Sequence, residues 1–157
     1  IRASEDALMN LTIVDSDIRG FSADSSSPVT DGPAIGQITA NSNSRLRFSI
    51  SGSTLTSGAN AYAARIRAIG GATVIGSWSN NIFTATDVGL LTTTEDFSSV
   101  SLELIGNTFT SGAAVNDIEL IQTSGTLNVV DFPDLSPNNN DATIGTTGVI
   151  DNITTLP

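Results

Sequence analysis

The feature that most restricts how this chain can fold is an alternation of period two. In Arg45-Leu46-Arg47-Phe48-Ser49-Ile50-Ser51 every second residue is apolar. Successive side chains of a strand point to opposite faces, so Leu46, Phe48 and Ile50 belong to a buried face and the arginines to a solvated one. Ser99-Val100-Ser101-Leu102-Glu103-Leu104 follows the same rule. Further strand candidates are residues 11–19, 62–69, 72–78, 115–122, 127–132 and 143–153. Between them stand breakers: Ser51-Gly52 through Ser57-Gly58-Ala59-Asn60, Gly70-Gly71, Ser79-Asn80-Asn81, Gly106-Asn107 and Ser111-Gly112. Gly70-Gly71 reads as a two-residue hairpin turn.

About eight short strands joined by such turns predict an all-β chain, an antiparallel β-sandwich of jelly-roll type forming one domain over residues 1–157. Residues 4–8 are the sole helix candidate, with Ser4 as cap. Residues 22–33 and 131–141 read as loops, and 123–141 as a linker-like loop and strand. The stretch 142–157 that follows carries Ile144, Val149, Ile150, Ile153 and Leu156, apolar residues that need burial.

Composition narrows function by omission. The chain has no cysteine and no histidine, and its six cations are all arginines, set against sixteen acids for a net charge of −10. Without His or Lys, a serine-type nucleophile has no base beside it, and the expectation is a protein that is not an enzyme. Carboxylate pairs drawn from Glu95, Asp96, Glu103, Asp117 and Glu119 read as solvated strand positions before they read as glycosidase acids. Nucleic acid is excluded as a partner by the acidic balance, and no apolar run reaches the length of a membrane span. The absence of cysteine and lysine points to a secreted protein, at a cell or virion surface.

Residues 45–122 resemble the jelly-roll, galactose-binding-like modules of bacterial extracellular proteins, which include many carbohydrate-binding modules. The resemblance is carried by Val115-Asn116-Asp117-Ile118-Glu119-Leu120, similar to the ending of their last core strand, with residues 99–104 before it. It implies a β-sandwich and, as an alternative function, glycan binding. Trp78 and Tyr62 are the candidate stacking rings, although an isolated Trp in a strand serves more often as a core anchor. Calcium is the one metal that suits an oxygen-only donor set. Its candidate ligands are Asp131, Asp134 and Asp141, Asn116 with Asp117, and Asp15 with Asp17, none at EF-hand spacing. Thr84-Ala85-Thr86 and Thr92-Thr93-Thr94 lack the repeat that an ice-binding array requires, and β-propensity accounts for them.

The arginine pairs Arg45/Arg47 and Arg65/Arg67 lie about 7 Å apart along their strands. On neighbouring strands they would form one cationic patch able to receive the acidic surface of another copy. The leading expectation is therefore a secreted structural subunit that partners with copies of itself in a filament, tube, sheet or shell. Strand exchange or edge addition would use residues 143–156 or 8–18, within terminal segments 142–157 and 1–20.

Overall fold

The computed structural model describes residues 1–20, 35–58, 61–112 and 116–157, so the expected loop 22–33 and Val115 of the motif above lie outside the described residues. The strands come in rungs. Rung 1 is β1 (Arg2–Ala3), β2 (Leu8–Val14) and β3 (Asp17–Arg19); rung 2 is β4 (Ile35–Asn41), β5 (Arg45–Ser51) and β6 (Thr54–Thr56). Rung 3 is β7 (Ala64–Ile69), β8 (Thr73–Ser79) and β9 (Ile82–Thr84); rung 4 is β10 (Leu90–Thr94), β11 (Ser99–Ile105) and β12 (Thr108–Thr110). Two shorter rungs follow, β13 (Ile118–Gln122) with β14 (Thr126–Val130), then β15 (Ile144–Thr147) with β16 (Ile150–Ile153). Two 3-10 turns, Phe132–Asp134 and Pro137–Asn139, lie between them.

Corresponding strands stack into three sheets: sheet A in the order β1-β4-β7-β10-β13-β15, sheet B in the order β2-β5-β8-β11-β14-β16, and sheet C in the order β3-β6-β9-β12. Every pairing is parallel. The protein is a parallel β-solenoid of about four full turns. The antiparallel jelly-roll sandwich, and with it the resemblance to galactose-binding-like modules, is overturned.

The reason lies in the corners. Between sheets A and B two successive residues adopt left-handed conformations: Glu5 and Asp6, Ser42 and Asn43, Gly70 and Gly71, Asp96 and Phe97. The same backbone preference makes a two-residue hairpin, but here each pair steers the chain from one sheet into the next. Main-chain bonds join the corners along the axis, Asn43 N–H to the Gly70 carbonyl at 3.0 Å and Gly71 N–H to the Asp96 carbonyl at 3.0 Å. Gly70-Gly71 thus connects β7 to β8 without pairing them. The helix expected over residues 4–8 is replaced by the first of these corners.

The corner between sheets B and C repeats a different unit, a left-handed residue followed by a buried or half-buried polar one: Asp15-Ser16, Gly52-Ser53, Asn80-Asn81 and Gly106-Asn107. The polar residues bond along the axis. Ser16 N–H donates to Ser53 Oγ, Ser53 N–H to Asn81 Oδ1, Asn81 N–H to Asn107 Oδ1, and Asn107 N–H to Asn139 Oδ1. The side-chain amides of Asn81, Asn107 and Asn139 also donate to the carbonyls of Ile50, Trp78 and Leu104 in turn, each at 2.9 Å. Buried main-chain groups at a bend need partners, and this ladder supplies them. Asn139 lies in the second 3-10 turn, so the segment expected as a linker contributes the ladder's last step and the buried Leu135.

Inside, residues stack in register. Met9, Leu46, Val74, Val100, Leu127 and Ile150 form one row of sheet B, and Ile13, Ile50, Trp78 and Leu104 another. Phe48 lies over Gly76, where a β-carbon would overlap its ring. It meets Trp78 edge-on at 5.4 Å, Trp78 meets Phe83 at 5.3 Å, and Phe83 stacks on Phe109 at 4.5 Å.

Candidate assembly surface

A solenoid has two ends where sheets stop, and the two differ in chemistry. At the rung 1 end, β2 pairs with β5 and, among the described residues, with no other strand, so half of the main-chain groups of seven residues face away from the sheet. Its inward side chains Met9, Leu11 and Ile13 are partly buried, while their neighbours on β5, Leu46, Phe48 and Ile50, are 1, 5 and 0 % exposed. Ile18 of β3 is likewise half-covered above the buried Leu55. Leu8 and Val14, at the two ends of β2, are exposed. No Lys or Pro interrupts this edge, the devices that usually discourage pairing there.

At the rung 6 end two inward positions turn polar, Thr146 in the Leu120 row and Asn152 in the Val129 row, while Ile144 and Ile150 continue the Ile118 and Leu127 rows. Asn152 Oδ1 accepts from the Phe132 N–H at 2.8 Å. Rung 6 is thus polar at two inward positions, whereas rung 1 keeps the apolar interior of the middle rungs. Ile144 and Ile150 are half-buried in this chain's own sheets, Ile153 packs outward beside Val130, and Val149 is exposed in the intervening turn. The terminal segments expected to cross into a neighbour are therefore end rungs of their own chain, β2 on β5, β15 on β13 and β16 on β14.

The arginines do not form one patch. Arg45 and Arg47 point outward from β5 in sheet B, between β2 and β8, while Arg65 and Arg67 point outward from β7 in sheet A, between β4 and β10. Arg67 grips Glu95 through two bonds, Nε to Oε1 at 2.9 Å and Nη2 to Oε2 at 2.8 Å. The hydrogen bond from Arg67 holds the Glu95 carboxyl below the usual carboxylate range and raises Arg67 in turn. Arg65 adds its field to Glu95, yet its own Nε is buried without a hydrogen-bond partner among the described residues. Arg47 Nη1 donates to the Pro157 carbonyl at 3.3 Å. Shallow grooves flank Arg47, one of about 260 Å³ bordered by Leu8, Arg45, Thr73 and Ile75, the other of about 190 Å³ beside Asn10, Thr12 and Ser49.

The remaining candidates are dispersed. Trp78 is fully buried between Phe48 and Phe83 and has no ring face open to a sugar, while Tyr62 is half-buried in the segment before β7. The Asp117 carboxylate accepts from Thr143 N–H and Oγ1, both at 2.8 Å, which ties the start of β13 to that of β15. Asn116 borders a 140 Å³ hollow with Glu119 and Thr147. Asp131, Asp134 and Asp141 are exposed around the 3-10 turns, and Asp131 and Asp141 have left-handed backbones. Asp15 is the left-handed corner residue before the Ser16 ladder position, and Asp17 pairs with Arg19 at 2.7 Å on the same strand. Among the described residues no three His, Cys, Asp or Glu side chains converge to hold a metal ion, and no helix is long and apolar enough to cross a membrane.

None of the protein families, curated proteins or solved structures compared with the chain matches it.

Proposed function

We propose that this chain is a non-enzymatic, extracellular structural module that associates end to end, rung 1 of one copy receiving rung 6 of the next by edge addition. The observation that carries the reading is the half-covered apolar row Met9, Leu11 and Ile13 on a seven-residue strand with one free edge. Completing the burial of those side chains is worth on the order of 1 kcal/mol each, before the main-chain bonds that a docked strand adds. Those gains must exceed the several kcal/mol lost in fixing two molecules together.

Strand direction decides the geometry. A copy that meets β2 with its β16 edge continues sheet B as a parallel sheet, whereas two rung 1 ends meeting would pair antiparallel. The first contact is heterologous and repeats at each new end, so it propagates a filament.

The test is sedimentation velocity of the full chain over a range of concentration, beside Leu11→Lys, which puts a charge on the open row, and Leu8→Lys, which puts one on the outward face of the same strand. The wild type and Leu8→Lys should form concentration-dependent oligomers and Leu11→Lys should remain a monomer with an unchanged far-ultraviolet circular dichroism spectrum. A wild-type chain that stays monomeric at every concentration contradicts the reading.

A further inference from the structure

A solenoid converts sequence position into position along an axis, and the charges of this chain are sorted along that axis. All six arginines and six of the sixteen acids lie within residues 1–84, the stretch that contains rungs 1 to 3, with two of those acids, Asp24 and Asp31, outside the described residues. The other ten acids, and no cation, lie within residues 85–157, which make rungs 4 to 6. One half is neutral overall and carries every cation; the other carries the entire net charge of −10.

We infer, on the basis of the end-to-end reading, that Arg47 on rung 2 and Asp151 on rung 6 of a second copy set the orientation and register of the joint, across a rung 1 that carries four acids, Glu5, Asp6, Asp15 and Asp17, against Arg2 and Arg19. The row that contains Arg47 makes the contact specific. Asn10, Arg47, Ile75, Ser101, Asn128 and Asp151 lie in register across all six strands of sheet B, all outside the core rows. Continuing the sheet without a shift places Ile150 of the arriving copy beside Met9, and its Asp151 beside Asn10. That carboxylate then stands two strand spacings, about 9–10 Å, from the backbone of Arg47, within the field of a long guanidinium side chain.

Arg47 has no Asp or Glu carboxylate within ion-pair distance among the described residues, and its Nη1 donates to the Pro157 oxygen at 3.3 Å. Grooves flank Arg47 on two sides. Asp151 is exposed at the opposite end. The reverse arrangement, rung 6 against rung 6, sets two acidic halves together and is disfavoured by like-charge repulsion. Complementary charge of this kind acts on approach and register more than on raw affinity, so the effect is strongest where screening is weak.

The experiment is the association constant of the full chain, measured by sedimentation equilibrium at low salt, where the screening length is about 30 Å, and at about 1 M salt, where it is about 3 Å. Alongside it run Arg47→Asp, Asp151→Arg and the double variant. Association should weaken with salt, each single variant should weaken it by roughly tenfold at low salt, and the double variant should recover most of the loss. Because Arg47 also holds the Pro157 carbonyl, recovery in the double variant separates a contact between copies from one within the chain. Association that is indifferent to salt and to both single variants overturns the charge-directed joint while leaving end-to-end stacking in place. A chain that fails to associate under any of these conditions overturns the stacking itself.

Discussion

The side-chain oxygen of Asn107 accepts hydrogen bonds from both the main-chain and the side-chain nitrogen of Asn81, each at 3.0 Å. Both residues are buried, and their amides satisfy the corner carbonyls of the rungs before them, Ile50 of rung 2 and Trp78 of rung 3. The relationship makes each rung depend on the next, as expected of a quasi-one-dimensional repeat.

Asn107→Ala removes an acceptor from Asn81 and a donor from the Trp78 and Asn139 carbonyl-type oxygens together. Stranded polar groups in a buried corner cost about 1–3 kcal/mol each, so a loss of at least ~3 kcal/mol is expected. Urea unfolding followed by circular dichroism measures it; a change below about 0.5 kcal/mol would mean that the ladder is not a source of stability.

Gly76→Ala is expected to destabilise by overpacking, because the new methyl group meets the Phe48 ring. A cost of about 1–3 kcal/mol is typical of such a collision. Combining it with Phe48→Leu should cost less than the sum of the two single changes, and strict additivity would show that the ring and the methyl do not compete.

The Arg67 and Glu95 pair gives the fold a specific acid sensitivity. Hydrogen bonding from Arg67 depresses the Glu95 carboxyl in the folded state, so its contribution is complete above the unfolded value of about 4.3 and disappears as pH falls through the lower folded value. Both side chains are about one-third exposed, at 34 and 30 %, which keeps the contribution near 0.5 kcal/mol. Glu95→Gln should lower stability at neutral pH by that amount and converge with the wild type in acid; a constant offset at every pH would assign the loss to packing.

Trp78 is the chain's single tryptophan and is fully buried, its indole nitrogen without a hydrogen-bond partner among the described residues. Its fluorescence should be that of a dry indole, insensitive to added soluble glycans and resistant to acrylamide quenching until the chain unfolds. Efficient quenching in the folded state would place the ring at the surface instead.

What was legible in the sequence was the all-β character and the faces of the alternating strands, not the number of strands, sixteen among the described residues where about eight were expected. Leu46, Phe48 and Ile50 point inward and Arg45 and Arg47 outward, as the alternation requires. Strand direction was not legible, because left-handed pairs such as Gly70-Gly71 serve hairpins and solenoid corners equally well. Of the short strands of sheet C, β3 falls within the strand candidate 11–19, β6 within the turn-like stretch 51–60, and β9 and β12 directly after the breakers at 79–81 and 106–107. Asp15-Ser16-Asp17-Ile18-Arg19, Gly52-Ser53-Thr54-Leu55-Thr56, Asn80-Asn81-Ile82-Phe83-Thr84 and Gly106-Asn107-Thr108-Phe109-Thr110 are successive copies of one corner-and-strand unit.

That recurrence was the available signal for a repeat architecture. It is irregular, with ladder partners 37, 28, 26 and 32 residues apart, because the connections between rungs vary in length. Strand β10 escaped notice for a different reason. Its Thr92 and Thr94 face the interior, so Leu90-Leu91-Thr92-Thr93-Thr94 shows no alternation. The open end of rung 1 was invisible in principle, since β2 carries the same inward residues as a strand that is covered on both sides.

The most direct test of end-to-end stacking uses the absence of cysteine in the chain. Thr12 on β2 and Ile153 on β16 stand at opposite edges of sheet B, five strand spacings or about 24 Å apart within a molecule, yet the joint that sets Ile150 beside Met9 brings them to neighbouring strands about 4.8 Å apart. Thr12→Cys and Ile153→Cys chains, mixed and oxidised gently, should form a covalent dimer containing one of each, and neither variant should cross-link alone. Absence of that mixed dimer at concentrations where the chain associates, or a dimer of Thr12→Cys with itself, would contradict the head-to-tail joint.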